Sequence, residues 1–278
     1  MSVFRNVLVG LDLDEATAGL ILNRACQIAE PSEIEAVHAC NYLHEYYDEY
    51  PVGSFSTSEE LDRAVRLQAD NFLADVCEPL GITRHRILDG RAAPALHDYA
   101  RQHADLIVVG SHGRHGFAAM FGSTSNQVLH GTECDVLAVH LSTERQREPK
   151  DYSRVLAAID LSEEAIQVLD HAQTIATAVG AKLLMCHVTH RSASAMPESE
   201  LGQLAHFGDV YGLDDDDIFE LDGNTTRVIH RLAEDVDADL LVVGTHGKHG
   251  LELIPRSTAN SVLHGATCDA LSVKIRRD

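Results

Sequence analysis

The sequence predicts two doubly wound α/β domains in tandem, each carrying a mostly parallel sheet. Two observations carry that expectation: the chain is written twice, and each copy alternates short apolar runs with helical patterns. Its length of 278 residues suits two domains, since roughly 100–200 residues make one.

The repeat is plainest near the end of each copy. Residues 108–141 read VVGSHGRHGFAAMFGSTSNQVLHGTECDVLAVHL, and residues 242–275 read VVGTHGKHGLELIPRSTANSVLHGATCDALSVKI. They align without gaps at an offset of 134, with 18 identities in 34 positions. The beginnings match too, Asn6 to Asp12 against Arg154 to Asp160, now at an offset of 148. The second copy is therefore 14 residues shorter, and the deficit precedes Leu221-Asp222-Gly223, the partner of Leu88-Asp89-Gly90. Domain 1 is expected over residues 1–142 and domain 2, shortened in its middle, over 151–278, joined by a polar linker at 143–150.

In copy one the expected strands are 6–11, 34–39, 85–88, 106–109 and 136–140. Short, continuously apolar runs fit a parallel sheet covered on both faces. The expected helices are 16–30, 58–80, 93–103 and 123–130. Ser58 followed by Glu59 and Glu60 is a helix start, and Gly81 a stop. Alternation of this kind implies right-handed crossovers. Copy two departs from the pattern between His190 and Ile218. Residues 190–197 read as a loop, 199–208 as at most a short helix, and the acidic run 214–217 as a solvated turn without the alternating ligands of a calcium loop.

Composition narrows the partners. With 22 Lys+Arg against 43 Asp+Glu the formal charge is −21, so the long-range field repels nucleic acid and anionic membrane. A local anion site made of backbone N–H groups survives such a field. The first strand reaches Asp12 before a signal-peptide apolar region is complete, and no run approaches ~18 apolar residues. The six cysteines, Cys26, Cys40, Cys77, Cys134, Cys186 and Cys268, are widely spaced and read as free, mostly buried thiols. The expectation is a cytoplasmic protein.

The candidate chemistry lies where strand 106–109 runs into Gly110-Ser111-His112-Gly113-Arg114-His115-Gly116, followed by Gly122-Ser123-Thr124 at a helix start. Glycines let backbone approach a ligand, first-turn N–H groups bind anions, and Arg114 adds charge. These are parts of a phosphate cradle, although turn glycines and an N-capping serine would account for the same residues. Neither a GxxxxGK[ST] nor a GxGxxG pattern is present. Asp12 and Asp160 end the first strand of each copy, where doubly wound sheets bind ligands, and could accept from a base or ribose or else cap the next helix. The HxxH pairs (His112/His115, His246/His249) lack adjacent acids or thiolates, so no metal is expected. His130 and His264 end the repeated helix, where a cation meets its dipole favourably. The stretch 44–51, HEYYDEYP, reads as a surface loop near the mouth.

VVGSHGRHG…GSTSNQVLHG…CDVLAV, with the early VLVGLD strand, resembles the universal stress protein family over the whole chain. The resemblance implies a tandem two-domain member, each domain an adenine nucleotide alpha hydrolase-like five-stranded sheet ordered 3-2-1-4-5. It implies that strands 136–140 and 271–275 pair within one chain as an intramolecular pseudo-dimer, covering both sheet edges. Some members bind ATP through G-x2-G-x9-G-[ST], and others bind no nucleotide. By this resemblance Leu11, Asp12 and Ala39 would meet adenine and ribose, while Gly110, His112, Gly113, Arg114, Gly122, Ser123 and Thr124 surround the phosphates of ATP, with or without Mg2+. Domain 2 offers Asp160, Val188, Gly244, Gly247, Lys248, Ser257 and Thr258.

Two departures bear on that site. Gly113 and Gly122 are separated by eight residues where the pattern has nine, as in the non-nucleotide class. In copy two Pro255-Arg256 replaces the last glycine, adding a Cβ and removing an N–H. The expected function is a non-catalytic stress-response protein that senses an adenine nucleotide in domain 1 and acts on an unidentified protein partner. No catalytic residue is expected, weak ATPase activity and further homodimerisation are left open, and the alternative is an interaction module that binds no nucleotide.

Overall fold

A computed structural model of the chain describes residues 3–40, 58–111, 127–129, 132–141, 150–189, 198–245, 258–263 and 265–276. The apolar runs become strands β1 (Val7–Gly10), β2 (Ile34–Cys40), β3 (Arg84–Asp89), β4 (Leu106–Gly110) and β5 (Asp135–Val139) in domain 1. Domain 2 supplies β6 (Arg154–Ile159), β7 (Lys182–Thr189), β8 (Ile218–Asp222), β9 (Leu240–Gly244) and β10 (Asp269–Val273). The helices are α1 (Glu15–Ile28), α2 (Ser58–Cys77), α3 (Ala92–His103), α4 (Ala165–Val179), α5 (Glu198–Tyr211), α6 (Thr225–Asp235) and α7 (Thr258–Leu263).

All ten strands join one sheet in the order β3-β2-β1-β4-β5-β10-β9-β6-β7-β8. Each half is the expected 3-2-1-4-5 arrangement, parallel within itself. The halves meet antiparallel through β5 and β10, with Ala138 opposite Ala270, Leu137 opposite Leu271 and Val136 opposite Ser272. The β5 edge of one half and the β10 edge of the other are thereby covered, and β3 and β8 form the outer edges of the sheet.

Strand alternation sorts the side chains between the two faces. Val7 and Val9 join Ile21, Leu22 and Leu73 on one face, in a core that continues across the junction to Leu169, Met185 and Leu271. On the other face each domain keeps its own core, Leu8 with Leu96 and Ile107 in domain 1, and Leu156 with Ile229 and Leu241 in domain 2. A sheet buried on both faces explains why its strands read as unbroken apolar runs rather than alternating ones.

Buried carboxylates fasten the junction by a pseudo-twofold rule. Asp269 Oδ1 accepts from His140 N, and Asp135 Oδ1 from Lys274 N, both at 2.8 Å. Each Asp also meets a basic side chain from the opposite domain's first helix. Arg24 Nε lies 2.9 Å from Asp269 Oδ2, almost wholly buried, and the guanidinium sits 4.5 Å over the Tyr152 ring. The Nε–H is not aligned for a hydrogen bond, so this contact is Coulombic. The Tyr152 hydroxyl donates to the same Asp269 oxygen at 2.8 Å, and Arg24 also bonds the Lys150 carbonyl. In the matching place His171 Nε2 lies 3.1 Å from Asp135 Oδ2.

Three sequence expectations need correction. The helix expected to be short at 199–208 is the 14-residue α5; Gly202 and Gly208 made it look weak. Packing overrides that weakness, because Ile218 fills the space a Cβ would take at Gly208, Leu204 is buried, and Tyr211 Oη donates to Asp170 Oδ1 at 2.7 Å. The acidic run is not uniformly solvated: Asp217 is buried, with Lys182 Nζ at 2.5 Å. The helix expected to end at residue 80 stops at Cys77, and a 3-10 turn over Glu78–Leu80 carries it to Gly81, whose φ of +70° makes it the left-handed cap.

Candidate functional site

In each half the connection from β1 to β2, or β6 to β7, departs to one side, while the next strand of the parallel order lies on the other. The crevice at the carboxyl ends of β1 and β4, and of β6 and β9, is therefore the place where a doubly wound sheet can receive a ligand. Leu11-Asp12 and Gly110 flank the first crevice; Ile159-Asp160 and Gly244 flank the second.

The chain leaves β1 under tight control. Leu11 N donates to Val37 O at 2.9 Å, and His38 Nδ1 lies 2.8 Å from Leu11 O. A carbonyl can only accept, so this nitrogen carries the proton. Asp14 then caps α1, its Oδ1 accepting from Thr17 N at 3.0 Å and from the Thr17 hydroxyl at 2.8 Å. Asp12 thus lies in a two-residue span fixed at both ends. Its carboxylate is exposed and has no partner among the described residues. The helix cap belongs to Asp14, which leaves Asp12 without that role.

Domain 2 begins in the same way and ends differently. His187 Nδ1 meets Ile159 O at 2.9 Å. Asp160, however, turns back on its own chain, Oδ1 accepting from Ser162 N at 3.1 Å and from Ser162 Oγ at 2.6 Å. Leu161 between them adopts a left-handed φ of +56°, a conformation that L residues with side chains rarely hold. Helix α4 starts at Ala165 with no side-chain cap.

Gly110 and Gly244 have a packing explanation. A Cβ at Gly110 would stand 2.6 Å from Leu141 Cδ1 and 3.1 Å from Ile21 Cδ1; at Gly244 it would stand 3.1 Å from both Ile275 Cδ1 and Val168 Cγ2. Both glycines let the first helix and the segment after the last strand close on β4 and β9. The next residue repeats as well: Ser111 Oγ accepts from Leu141 N at 3.3 Å, and Thr245 Oγ1 from Ile275 N at 3.2 Å. Ala39 and Val188 are half-buried at the ends of β2 and β7.

The remaining expected contacts, His112, Gly113, Arg114, Gly122, Ser123 and Thr124 in domain 1 and Gly247, Lys248 and Ser257 in domain 2, lie outside the described residues. So do His115, His130, His246, His249, His264, Pro255-Arg256 and the 44–51 stretch. Thr258 is the first residue of α7. Among the described residues no group of three His, Cys, Asp or Glu could hold a metal ion, and no described helix is long and apolar enough to cross a membrane. None of the six cysteines is in a disulfide, and burial pushes the Cys186 thiol up to about 12 and Cys77 up to about 11, which opposes the thiolate that redox chemistry needs.

Sequence reading missed the histidines that shape the mouth. Besides His38 and His187, His97 Nε2 lies 3.1 Å from Val128 O and His230 Nε2 lies 2.6 Å from Val262 O. These tie α3 and α6 to the helical segments that follow the glycine loops. The available signal was recurrence: Val37-His38-Ala39 against Cys186-His187-Val188, and Leu96-His97-Asp98 against Ile229-His230-Arg231.

The fold, with its two equivalent halves, defines a tandem doubly wound α/β protein, and comparison with known proteins specifies the family. The model of the Universal stress protein family matches residues 4–140 and 151–274; the chain belongs to that family. Universal stress protein A homolog 1 of Coxiella burnetii is 38% identical over 141 residues, covering 44% of this chain and 96% of that protein. Its homolog 2 from the same organism is 32% identical over 148 residues, covering 51% and 98%. Over the full length, a universal stress protein from Archaeoglobus fulgidus has the same fold at 19% identity, with a TM-score of 0.71 over 99% of this chain and 98% of that one.

Proposed function

We propose that the chain is a non-catalytic stress-response protein that binds one adenine nucleotide, ATP, in the domain 1 crevice. The observation that carries this reading is the state of Asp12. An exposed carboxylate on a pinned two-residue span, at the strand ends where such sheets take ligands, is ready to accept from an adenine amino group or a ribose hydroxyl. The equivalent Asp160 already has Ser162 as its donor, and Pro255-Arg256 interrupts the second loop, so domain 2 is the poorer site. Ala39 would offer backbone to the base, and the glycine loop with Arg114, Ser123 and Thr124 would meet the phosphates. The nucleotide would act as a signal to a protein partner.

A second reading has its own support. Packing explains Gly110 and Gly244 without a ligand, and the eight-residue loop spacing matches the non-nucleotide class; on this reading the chain is an interaction module. Denaturing freshly purified protein and quantifying released small molecules by chromatography and mass spectrometry separates the two. The expected result is one adenine nucleotide per chain, or saturable thermal stabilisation by added ATP. Neither, even with millimolar Mg-ATP, would establish the interaction module instead.

A further inference from the structure

His38 is a buried imidazole with one nitrogen in use and the other idle. Its Nδ1–H donates to Leu11 O at 2.8 Å, whereas Nε2 is buried and has no partner. A buried acceptor left unpaired is unfavourable, so the benefit of this histidine must come from the bond it does make. That bond grips the last carbonyl before Asp12. Together with the bond from Leu11 N to Val37 O and the Asp14 cap, it leaves Asp12 little freedom.

We infer that His38 is a positioning residue for ligand recognition in domain 1: its Nδ1–H fixes the Leu11 carbonyl and thereby aims the Asp12 carboxylate into the crevice. This rests on the nucleotide reading given above. The same lock in domain 2, His187 on Ile159 O at 2.9 Å, precedes an Asp already turned onto Ser162, so it positions nothing for a ligand. Pre-aimed groups bind more tightly because less freedom is lost on association.

The test uses the full chain and ATP as the probe, with affinity read by calorimetry. His38→Leu keeps an apolar side chain but removes the donor. His38→Asn restores an N–H close to the position of Nδ1 and has no ring nitrogen to leave idle. His187→Leu removes the matching bond in domain 2. The expected result is an affinity about tenfold weaker for His38→Leu, the order expected when a buried carbonyl loses its donor, with His38→Asn and His187→Leu near wild type. Equal loss in His38→Leu and His38→Asn, loss in His187→Leu, or no loss at all would overturn the inference.

Amide hydrogen exchange keeps this separate from the nucleotide reading. Exchange at residues 11–14 should quicken in His38→Leu and be restored in His38→Asn, with or without ligand. Wild-type chain that binds no ATP would refute the nucleotide reading alone. Unchanged exchange in His38→Leu would refute the positioning role itself.

Discussion

The two domains start from the same clamp and use their carboxylates differently. Each has a histidine on the carbonyl before the Asp, yet Asp12 stays exposed while Asp160 closes onto Ser162 through a left-handed Leu161. The junction shows the same divergence: Asp269 faces an arginine and Asp135 a histidine. Duplication preserved the backbone frame, and differences at equivalent places left the Asp12 carboxylate exposed and gave Asp160 a partner in Ser162. Symmetry of fold therefore does not entail the same partners for equivalent side chains.

The sharpest way to break the comparison is at the junction. Asp269→Ala strands Arg24, which cannot shed its proton, and should cost about 3–5 kcal/mol as for other broken buried pairs. Asp135→Ala should cost clearly less, since His171 can become neutral. Urea unfolding of both variants checks the order; equal losses would contradict the distinction.

The crevice glycines come next. Gly110→Ala drives a Cβ to 2.6 Å from Leu141 Cδ1, whereas at Gly244 the nearest atoms are 3.1 Å away. Overpacking of this kind costs roughly 1–3 kcal/mol, and Gly110→Ala should lie higher in that range than Gly244→Ala in the same unfolding experiment.

The smallest expected effect depends on pH. The hydrogen bond to Asp135 raises the His171 pKa above its ordinary value, against the opposing effect of burial, and Asp170 adds to the rise. A raised folded value means the contribution is full below the unfolded value of about 6.5 and fades as pH rises through the folded one. The Tm advantage of wild type over His171→Gln should therefore be greatest under mildly acidic conditions and shrink toward alkaline pH. A constant difference would place the effect in packing, for instance against Phe4, whose ring centroid is 6.2 Å away.

Much of the frame was legible in the sequence because internal repetition fixes topology more firmly than local propensity does. Alternating apolar runs located the strands of copy one to within a residue or two, and the family resemblance placed the last strand of each copy at the junction. Helix α5 was underread because Gly202 and Gly208 are poor helix formers, and only the contacts of Leu204, Gly208 and Tyr211 show why the helix persists. Asp12 and Asp160 were legible as candidates from their place at the end of the first strand. Their divergence was not, since it depends on whether Ser162 or Asp14 follows two residues later and on which conformation the intervening leucine takes. The role of the histidines was hidden for a similar reason: imidazole-to-carbonyl bonds link residues 27 and 28 positions apart.

The central claim, one open site and one closed, is tested most directly by ATP titration of wild type, Asp12→Ala and Asp160→Ala in a calorimeter. The account expects one nucleotide per wild-type chain, binding abolished or weakened at least about tenfold by Asp12→Ala as a charged acceptor is lost, and no change in Asp160→Ala. Two nucleotides per chain, or binding that depends on Asp160 and not on Asp12, would contradict it.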